Sequence, residues 1–263
     1  MFLFLGLEKA FNTNIIKRFN HSLSENIIEN LDNNKINQWL AGLIDGDGCI
    51  QLSNKGYSSL EIVMENRDIA CLEIIVNKIG GKIEEKPGVN WVRYRLHSKQ
   101  GILNLINIIN GEVRNPVRLN QLEKICNKYN IPLIRPEILT YNNAWFSGMF
   151  DSDGSVYFNL KSSQLYISVA QKEREVLDIL CEKYKGSVYT QKNSFKWTVY
   201  KKSEVLELLK YFKLNLPKSA KKNRILAIES YFNLKNNKAH LAPEGSSQAK
   251  AWNEFTTKWK NWE

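Results

Sequence analysis

Apolar and polar positions along this chain follow two periods, and the periods change in the same order twice. After Gly48, Ile50 and Leu52 alternate with Gln51, Ser53 and Lys55; after Gly154, Val156, Phe158 and Leu160 alternate with Tyr157, Asn159 and Lys161. A period of two with one apolar face predicts half-buried strands. A second strand follows each, at Leu60 to Met64 and through Leu165, Ile167 and Val169. The spacing then becomes helical, at Ile69, Leu72, Ile75, Val76 and Ile79, and again at Val176, Leu177, Ile179 and Leu180. Two further strands are expected in each half, around 82–85 with 91–96 and around 187–190 with 195–200. Helices close the units at 102–109 and 119–129, and at 205–212 and 223–232. Each half therefore reads α-β-β-α-β-β-α-α, an α+β unit with helices on one face of an antiparallel sheet.

The short apolar helix that opens each unit carries the clearest repeat. Trp39-Leu-Ala-Gly-Leu-Ile-Asp-Gly-Asp-Gly48 returns as Trp145-Phe-Ser-Gly-Met-Phe-Asp-Ser-Asp-Gly154, with Trp, Gly, both Asp and the last Gly in register 106 residues apart. The same step carries Gly80 onto Gly186, Trp91 onto Trp197 and Leu103 onto Leu209. Landmarks aligned over that distance indicate a duplicated fold, a pseudo-dimer within one chain. The organisation that follows is an N-terminal extension at 1–33, a first unit at 34–129, a linker at 130–141 holding Pro132 and Pro136, a second unit at 142–240, and a tail at 241–263. In the tail, Trp252, Phe255, Trp259 and Trp262 are spaced 3, 4 and 3. That spacing puts the rings on one helical stripe and predicts a helix docked on the body.

Charge adds a partner to this picture. The 263 residues carry a formal net charge of +10 and a pI near 9.3, which favours a polyanion, since Lys and Arg gain affinity by displacing phosphate counterions. For a protein with internal two-fold symmetry the matching polyanion is a DNA duplex. Cys49, Cys71, Cys126 and Cys181 are widely spaced with no Cys-x-x-Cys, which argues against a zinc site or a disulfide framework. No run reaches the roughly 18 apolar residues that span a bilayer, so no membrane partner is expected. Residues 1–20, apolar at the start and carrying Lys9, Lys17 and Arg18, read equally as an organellar presequence, an amphipathic leader or the remnant of an upstream reading frame. The abundance of Asn, Ile and Lys, all AT-rich codons, points to an organellar genome.

The doubled aspartates are the candidate chemistry. Gly after Asp at a helix end is ordinary, because Gly accepts the left-handed turn that ends a helix. Two carboxylates there are not, since the C-terminal end of a helix dipole is already negative. Pairing the two helices would gather four acids, which calls for a cation. A calcium loop is excluded: counting from Asp45, positions five and twelve are Cys49 and Gly56, and from Asp151 they are Ser155 and Ser162, where an EF-hand needs an oxygen ligand and a bidentate Glu.

Leu40-Ala-Gly-Leu-Ile-Asp-Gly-Asp-Gly48 and, more loosely, Phe146-Ser-Gly-Met-Phe-Asp-Ser-Asp-Gly154 resemble the signature of the LAGLIDADG homing endonuclease family, and the order of elements resembles it over roughly residues 34 to 235. The resemblance implies a single-chain, double-motif monomer whose two sheets form a saddle on DNA, with the motif helices paired at the junction. It implies a site-specific double-strand endonuclease, encoded by an intron, acting on a long non-palindromic site and leaving short 3′ overhangs. The same fold has been adapted to RNA-binding intron maturases, which makes host intron RNA the alternative partner, and mitochondria or another organelle the location. By resemblance, Asp47 and Asp153 bind the catalytic divalent metal, Mg²⁺ with Ca²⁺ or Mn²⁺ as substitutes, with the carbonyls of Gly46 and Ser152 as further ligands, while Asp45 and Asp151 cap or pack at the junction. Glu65 and Gln171, paired by the 106-residue step, are expected to position the attacking water. Lys221 is expected to balance transition-state charge in the second half, with Lys222 as fallback; in the first half Val117 stands where that lysine is expected, and Arg118 is the substitute. Recognition is assigned to the outward strand positions Gln51, Ser53, Lys55, Arg93, Arg95, Tyr157, Asn159, Lys161, Lys196 and Tyr200, since strand ribbons fit the major groove.

Overall fold

In the computed structural model, which describes residues 32–159 and 161–262, the chain forms two four-stranded antiparallel sheets and ten α-helices. The first unit runs α1 (32–47), β1 (Gly48–Leu52), β2 (Ser58–Glu65), α2 (Ile69–Ile79), β3 (Lys82–Glu85), β4 (Trp91–Leu96), α3 (Lys99–Ile109) and α4 (Pro116–Lys128). The second runs α5 (Trp145–Asp153), β5 (Gly154–Asn159), β6 (Gln164–Gln171), α6 (Arg174–Tyr184), β7 (Ser187–Thr190), β8 (Phe195–Val199), α7 (Lys202–Leu214), α8 (Lys221–Leu226) and α9 (Ile228–Asn236), and α10 (Ser247–Lys260) closes the chain. The strand orders β1-β2-β4-β3 and β5-β6-β8-β7 are the same. The expected N-terminal extension and Leu160 lie outside the described residues. No helix of the described residues is long and apolar enough to cross a membrane.

The strands form where period-two alternation puts apolar side chains on one face. Leu60, Ile62 and Met64 of β2 and Val92, Tyr94 and Leu96 of β4 are buried, as are Val156, Phe158, Ile167, Val169, Trp197 and Val199 in the second sheet. Helices cover that face, starting where a side chain accepts an otherwise orphaned N–H: Ser98 accepts from Gly101 N ahead of α3, and Asn115 accepts from Val117 N ahead of α4, with Pro116 pre-set in the first turn. The opposite faces are left to solvent.

Between the sheets lie α1 and α5, in backbone contact. A Cβ added at Gly42 would sit 1.8 Å from the carbonyl oxygen of Trp145, and one at Gly148 would sit 1.8 Å from that of Trp39. These two glycines let the helices touch without side chains between them. Leu40, Leu43 and Ile44 on one side and Phe146, Met149 and Phe150 on the other are buried around the contact.

The register shows that the 106-residue step is not constant. Gly48 pairs with Ile62 and Gly154 with Val169, so β2 and β6 correspond with an offset of 107. Ile62 pairs onward with Tyr94 and Val169 with Trp197. Tyr94, rather than Trp91, is thus the counterpart of Trp197, and the two do the same job. Tyr94 Oη donates to Gly80 O at 2.7 Å and Trp197 Nε1 donates to Lys185 O at 2.7 Å, each satisfying the carbonyl just past a helix. Gly80 accordingly matches Lys185, which takes a positive φ of 66° despite its side chain.

The tail helix α10 packs Phe255 and Trp259 out of solvent, with the rings of Trp252, Phe255 and Trp259 at 5.7, 5.9 and 5.7 Å from that of Phe158. The Arg67 guanidinium donates to Trp262 O at 3.1 Å, and Ala220 N donates to Asp68 Oδ1 at 2.7 Å. The first bond ties the tail to the first unit, and the second ties the second unit to it.

Candidate active site at the paired helix ends

The four motif aspartates divide into two buried at the junction and two at the helix tips. Asp45 and Asp151 are 0% and 2% exposed. Trp145 Nε1 donates to Asp45 Oδ2 at 2.7 Å, and Trp39 Nε1 donates to Asp151 Oδ2 at 2.7 Å, so each half's tryptophan holds the other half's carboxylate. Arg114 N completes the Asp45 Oδ2 site at 2.7 Å; Lys218 N, Ser219 N and the Ser219 hydroxyl do so for Asp151 at 2.8, 3.0 and 2.5 Å. The two are not equivalent. Asp45 Oδ1 is buried without a partner, and burial raises its carboxyl to about 7 against the donors that oppose it. A carboxyl whose folded value lies above the unfolded one near 3.8 makes the folded state bind more protons between pH 4 and 7. Stability contributed by protonated Asp45 is then full below about pH 4 and lost as pH rises through 7. Asp45→Asn cannot titrate, so its stability relative to the parent should rise by about 1.4 kcal/mol per pH unit across that window and level off above it. Urea unfolding at pH 5, 6 and 7 measures this, and a pH-independent difference would contradict it.

Asp47 and Asp153 end α1 and α5 and come together at the tips. A Cβ on Gly46 would meet Ser152 Oγ at 1.9 Å and Asp153 Oδ2 at 2.6 Å, so only glycine allows this approach. Burial, then the charge of Asp47, raises the Asp153 carboxyl to about 7. Asp47 reaches solvent, yet the surrounding protein still lifts its carboxyl above the usual range, with Lys221 and Arg118 opposing. Two carboxyls raised chiefly by burial are disfavoured as bare anions, and a bound cation would offset that.

Arg118 and Lys221 occupy matching places. Arg118 donates to Ile44 O at 3.2 Å and Gly46 O at 3.1 Å. Lys221 Nζ donates to Phe150 O, Asp151 O and Ser152 O at 3.2, 2.9 and 2.6 Å. Each cation thus caps the negative end of a motif helix and borders its terminal acid. Val117, where a lysine is expected from the sequence, is 43% exposed and lines the cleft beside Arg118. Burial lowers the Lys221 ammonium, against the pull of Asp151, Asp47 and Asp153.

The water-positioning pair is not matched. Gln171 Nε2 donates to Asp153 Oδ2 at 2.6 Å, and the same cleft of about 430 Å³ exposes Gly46, Arg118, Asp153 and Gln171. With the β2–β6 offset of 107, the residue in Gln171's place is Met64, not Glu65. Met64 is buried, while Glu65 points to the other face of β2 and pairs with Arg67 at 2.7 Å. The structure does not bring Glu65 to Asp47. Lys172 lies exposed beside Gln171 on the cleft wall, and nothing in its sequence neighbourhood distinguishes it from other surface lysines.

The outward positions also sort unevenly. In the first sheet Arg93 and Arg95 face outward but are engaged by acids: Glu61 reaches them at 3.5 and 3.0 Å, and Glu84 reaches Arg95 at 3.0 Å. Gln51 is exposed on β1. Ser53 and Lys55 lie past its end, and Ser53 Oγ accepts from Tyr57 N at 2.9 Å to close the hairpin. In the second sheet Tyr157 faces outward with its ring 4.8 Å from that of Tyr166, and Lys196 Nζ lies 5.2 Å over the Tyr166 ring. Asn159 Oδ1 accepts from Lys161 N and Ser162 N, so its carboxamide builds the turn. Tyr200 lies one residue beyond β8 and is 57% exposed.

Known proteins share both the sequence and the frame. A family model described as LAGLIDADG endonuclease matches residues 40–131. The intron-encoded DNA endonuclease ai2a of Dictyostelium discoideum is 37% identical over 237 residues, which cover 87% of this chain and 76% of the relative. The intron-encoded RNA maturase bI4 of Saccharomyces cerevisiae is 39% identical over 237 residues, 87% of this chain but 37% of the relative. This chain spans about two fifths of the length of the first curated relatives it matches. Among solved structures, the I-LtrWI LAGLIDADG homing endonuclease bound to target DNA superposes with a TM-score of 0.63 at 18% identity, covering 85% of this chain and 97% of that one. With the doubled motif, the twinned sheets and relatives of this identity and coverage, the chain belongs to the LAGLIDADG endonuclease family.

Proposed function

We propose that the protein is a site-specific, divalent-cation-dependent DNA endonuclease, encoded in an organellar intron, that cuts both strands of a long asymmetric site as a monomer and leaves short 3′ overhangs. The observation that carries this reading is the juxtaposition of Asp47 and Asp153 at the tips of two helices in backbone contact, each carboxyl raised by its surroundings. The donor set suits a hard cation: the two carboxylates offer oxygen, and the carbonyls of Gly46 and Ser152, which accept from Arg118 and Lys221, each keep a second lone pair. Among the described residues no three His, Cys, Asp or Glu gather as an all-protein cage, which fits Mg²⁺, a cation that keeps waters and shares substrate phosphate oxygens. When bound, such an ion supplies charge neutralisation at phosphorus and a more acidic water. The chain's own residues do the rest. Asp47 and Asp153 hold the charge balance, Arg118 and Lys221 fix the helix tips and offset charge on the phosphate, and Gln171 holds Asp153 and orients water. The outward faces track the duplex, with Tyr157, Lys196 and Gln51 placed for base edges or phosphate.

A Mg²⁺-dependent cleavage selection on a randomised duplex library tests the reading, and recovery of no cleaved sequence across library depth and divalent ions would overturn it. The same assay addresses the unequal centres. Because Met64 offers no hydrogen bond where Gln171 does, Gln171→Leu should slow one strand by on the order of 100-fold and accumulate nicked DNA, whereas Met64→Leu should leave both rates unchanged. Equal slowing of both strands by Gln171→Leu would refute the assignment. The identity with an RNA maturase favours a second activity, binding of host intron RNA.

A further inference from the structure

At the end of the second sheet, where β6 begins and β8 ends, a cavity of about 430 Å³ opens between the sheet and α9. We propose that this cavity, at the rim of the saddle, binds an unpaired nucleotide of a single-stranded nucleic acid. Aromatic rings line it: Tyr166 from the outward face of β6, Tyr200 just past β8, and Phe232 from α9 over the buried Tyr231. Every base has a π-face, so such walls hold bases irrespective of sequence. Two cations border the space. Lys202 Nζ donates to Asn236 Oδ1 at 2.9 Å and lies 5.6 Å from the Phe232 ring centre; Lys235 Nζ reaches Ser163 O and the Tyr231 hydroxyl. Among the described residues neither lysine is ion-paired, and no acid lines the cavity. Their charge is held by neutral oxygens and stays available to a phosphate, unlike that of Arg93 and Arg95 on the first sheet. A volume of this size is at the small end of the range that takes small ligands.

Comparing the two halves shows which of these groups are particular to the second. Ser59 stands opposite Gln51 where Tyr166 stands opposite Tyr157. Lys128 and Lys235 cap the same hairpin turn, at Gly56 O and Ser163 O, and four residues before each stand Lys124 and Tyr231. The first half therefore carries Ser and Lys where the second carries two tyrosines. The difference puts both rings beside this cavity. Filling the cavity from a paired duplex would also cost a few kcal/mol of unstacking and unpairing, which an unpaired strand is spared.

The test measures affinity of the full chain for fluorescein-labelled 12-nucleotide single strands, one RNA and one DNA, and for a 24-base-pair duplex, at one fixed salt and without divalent metal. Phe232→Leu and Lys202→Gln are the variants; leucine keeps most of the Phe232 volume and Lys202 is exposed, so folding should survive. Phe232→Leu should weaken single-strand binding about tenfold and duplex binding by less than twofold. Loss on either strand supports the site, and the strand losing more identifies the source. Equal losses on duplex and single strand, or no loss on either single strand, would overturn the proposal. Duplex cleavage by either variant is read separately, so failure here leaves the endonuclease reading standing and failure of cleavage leaves this one standing.

Discussion

Asp47→Asn and Asp153→Asn should each reduce double-strand cleavage by on the order of a thousandfold while leaving duplex affinity within a few-fold of the parent. The amide keeps the shape and one hydrogen-bond acceptor but removes the charge that a hard cation needs, and stabilising groups at a reacting phosphate are worth factors of this size. Affinity should be spared because it comes mainly from Lys and Arg on phosphates. Removing a negative charge beside the phosphate path, where Arg118 and Lys221 already stand, should if anything tighten binding. The same exchange at Asp45 or Asp151 should behave differently. Those carboxylates hold the tryptophans of the opposite half, so their loss shows first in unfolding. The measurement follows supercoiled target plasmid to nicked and linear forms, with duplex affinity determined in parallel. Full cleavage by the Asp47→Asn/Asp153→Asn double variant would remove the assignment of the site.

Most of this arrangement is legible in the sequence because it depends on local signals that occur twice. Period-two runs placed the inner strands, since one buried face per strand leaves a direct trace in residue type. The tail helix was legible for the same reason at a different period, from Trp252, Phe255 and Trp259. Register was not. The two hairpins and the two connections into the outer strands differ by a few residues in length, so a fixed step drifts from 106 to 107 at β2 and β6. One residue of drift turns a strand position to the opposite face. The fixed step therefore pairs Glu65 with Gln171, whereas Met64 occupies the corresponding place.

Pairing across strands was equally hidden. Arg93 and Arg95 look like free outward cations in the sequence, but Glu61 lies on the neighbouring strand directly opposite Arg95. A contact between residues 34 apart leaves no periodic trace. Asn159 likewise reads as an outward strand residue, yet its short carboxamide competes for nearby backbone N–H groups and forms the turn instead. The reciprocal bonds of Trp39 and Trp145 had a signal, identical tryptophans six residues before identical aspartates in both copies. Only the pairing of the helices shows that each Trp reaches the other copy's Asp.

Gly148→Ala should destabilise the protein by about 4 kcal/mol or more, and Gly42→Ala by a similar amount, against the trend that helix propensity sets. On propensity alone, exchanging Gly for Ala within a helix stabilises by about 1 kcal/mol. At these two positions the new methyl would lie 1.8 Å from a backbone carbonyl oxygen of the facing helix, well inside any van der Waals contact, and a backbone atom cannot swing aside as a side chain can. The helices must part by more than about 1 Å, which strains a close-packed seam lined by Leu43, Met149 and Phe150. Parting also stretches the bonds from Trp39 to Asp151 and from Trp145 to Asp45. An unsatisfied buried polar group costs about 1–3 kcal/mol, more when charged. Gly245→Ala separates this effect from backbone strain: Gly245 has a positive φ of 82° with nothing near its missing Cβ, so only about 1 kcal/mol should be lost. Urea unfolding of the three variants gives the ranking directly. A stabilised Gly148→Ala would mean that the helices do not meet through their backbones, and with that contact would go the argument that brings Asp47 and Asp153 into one site.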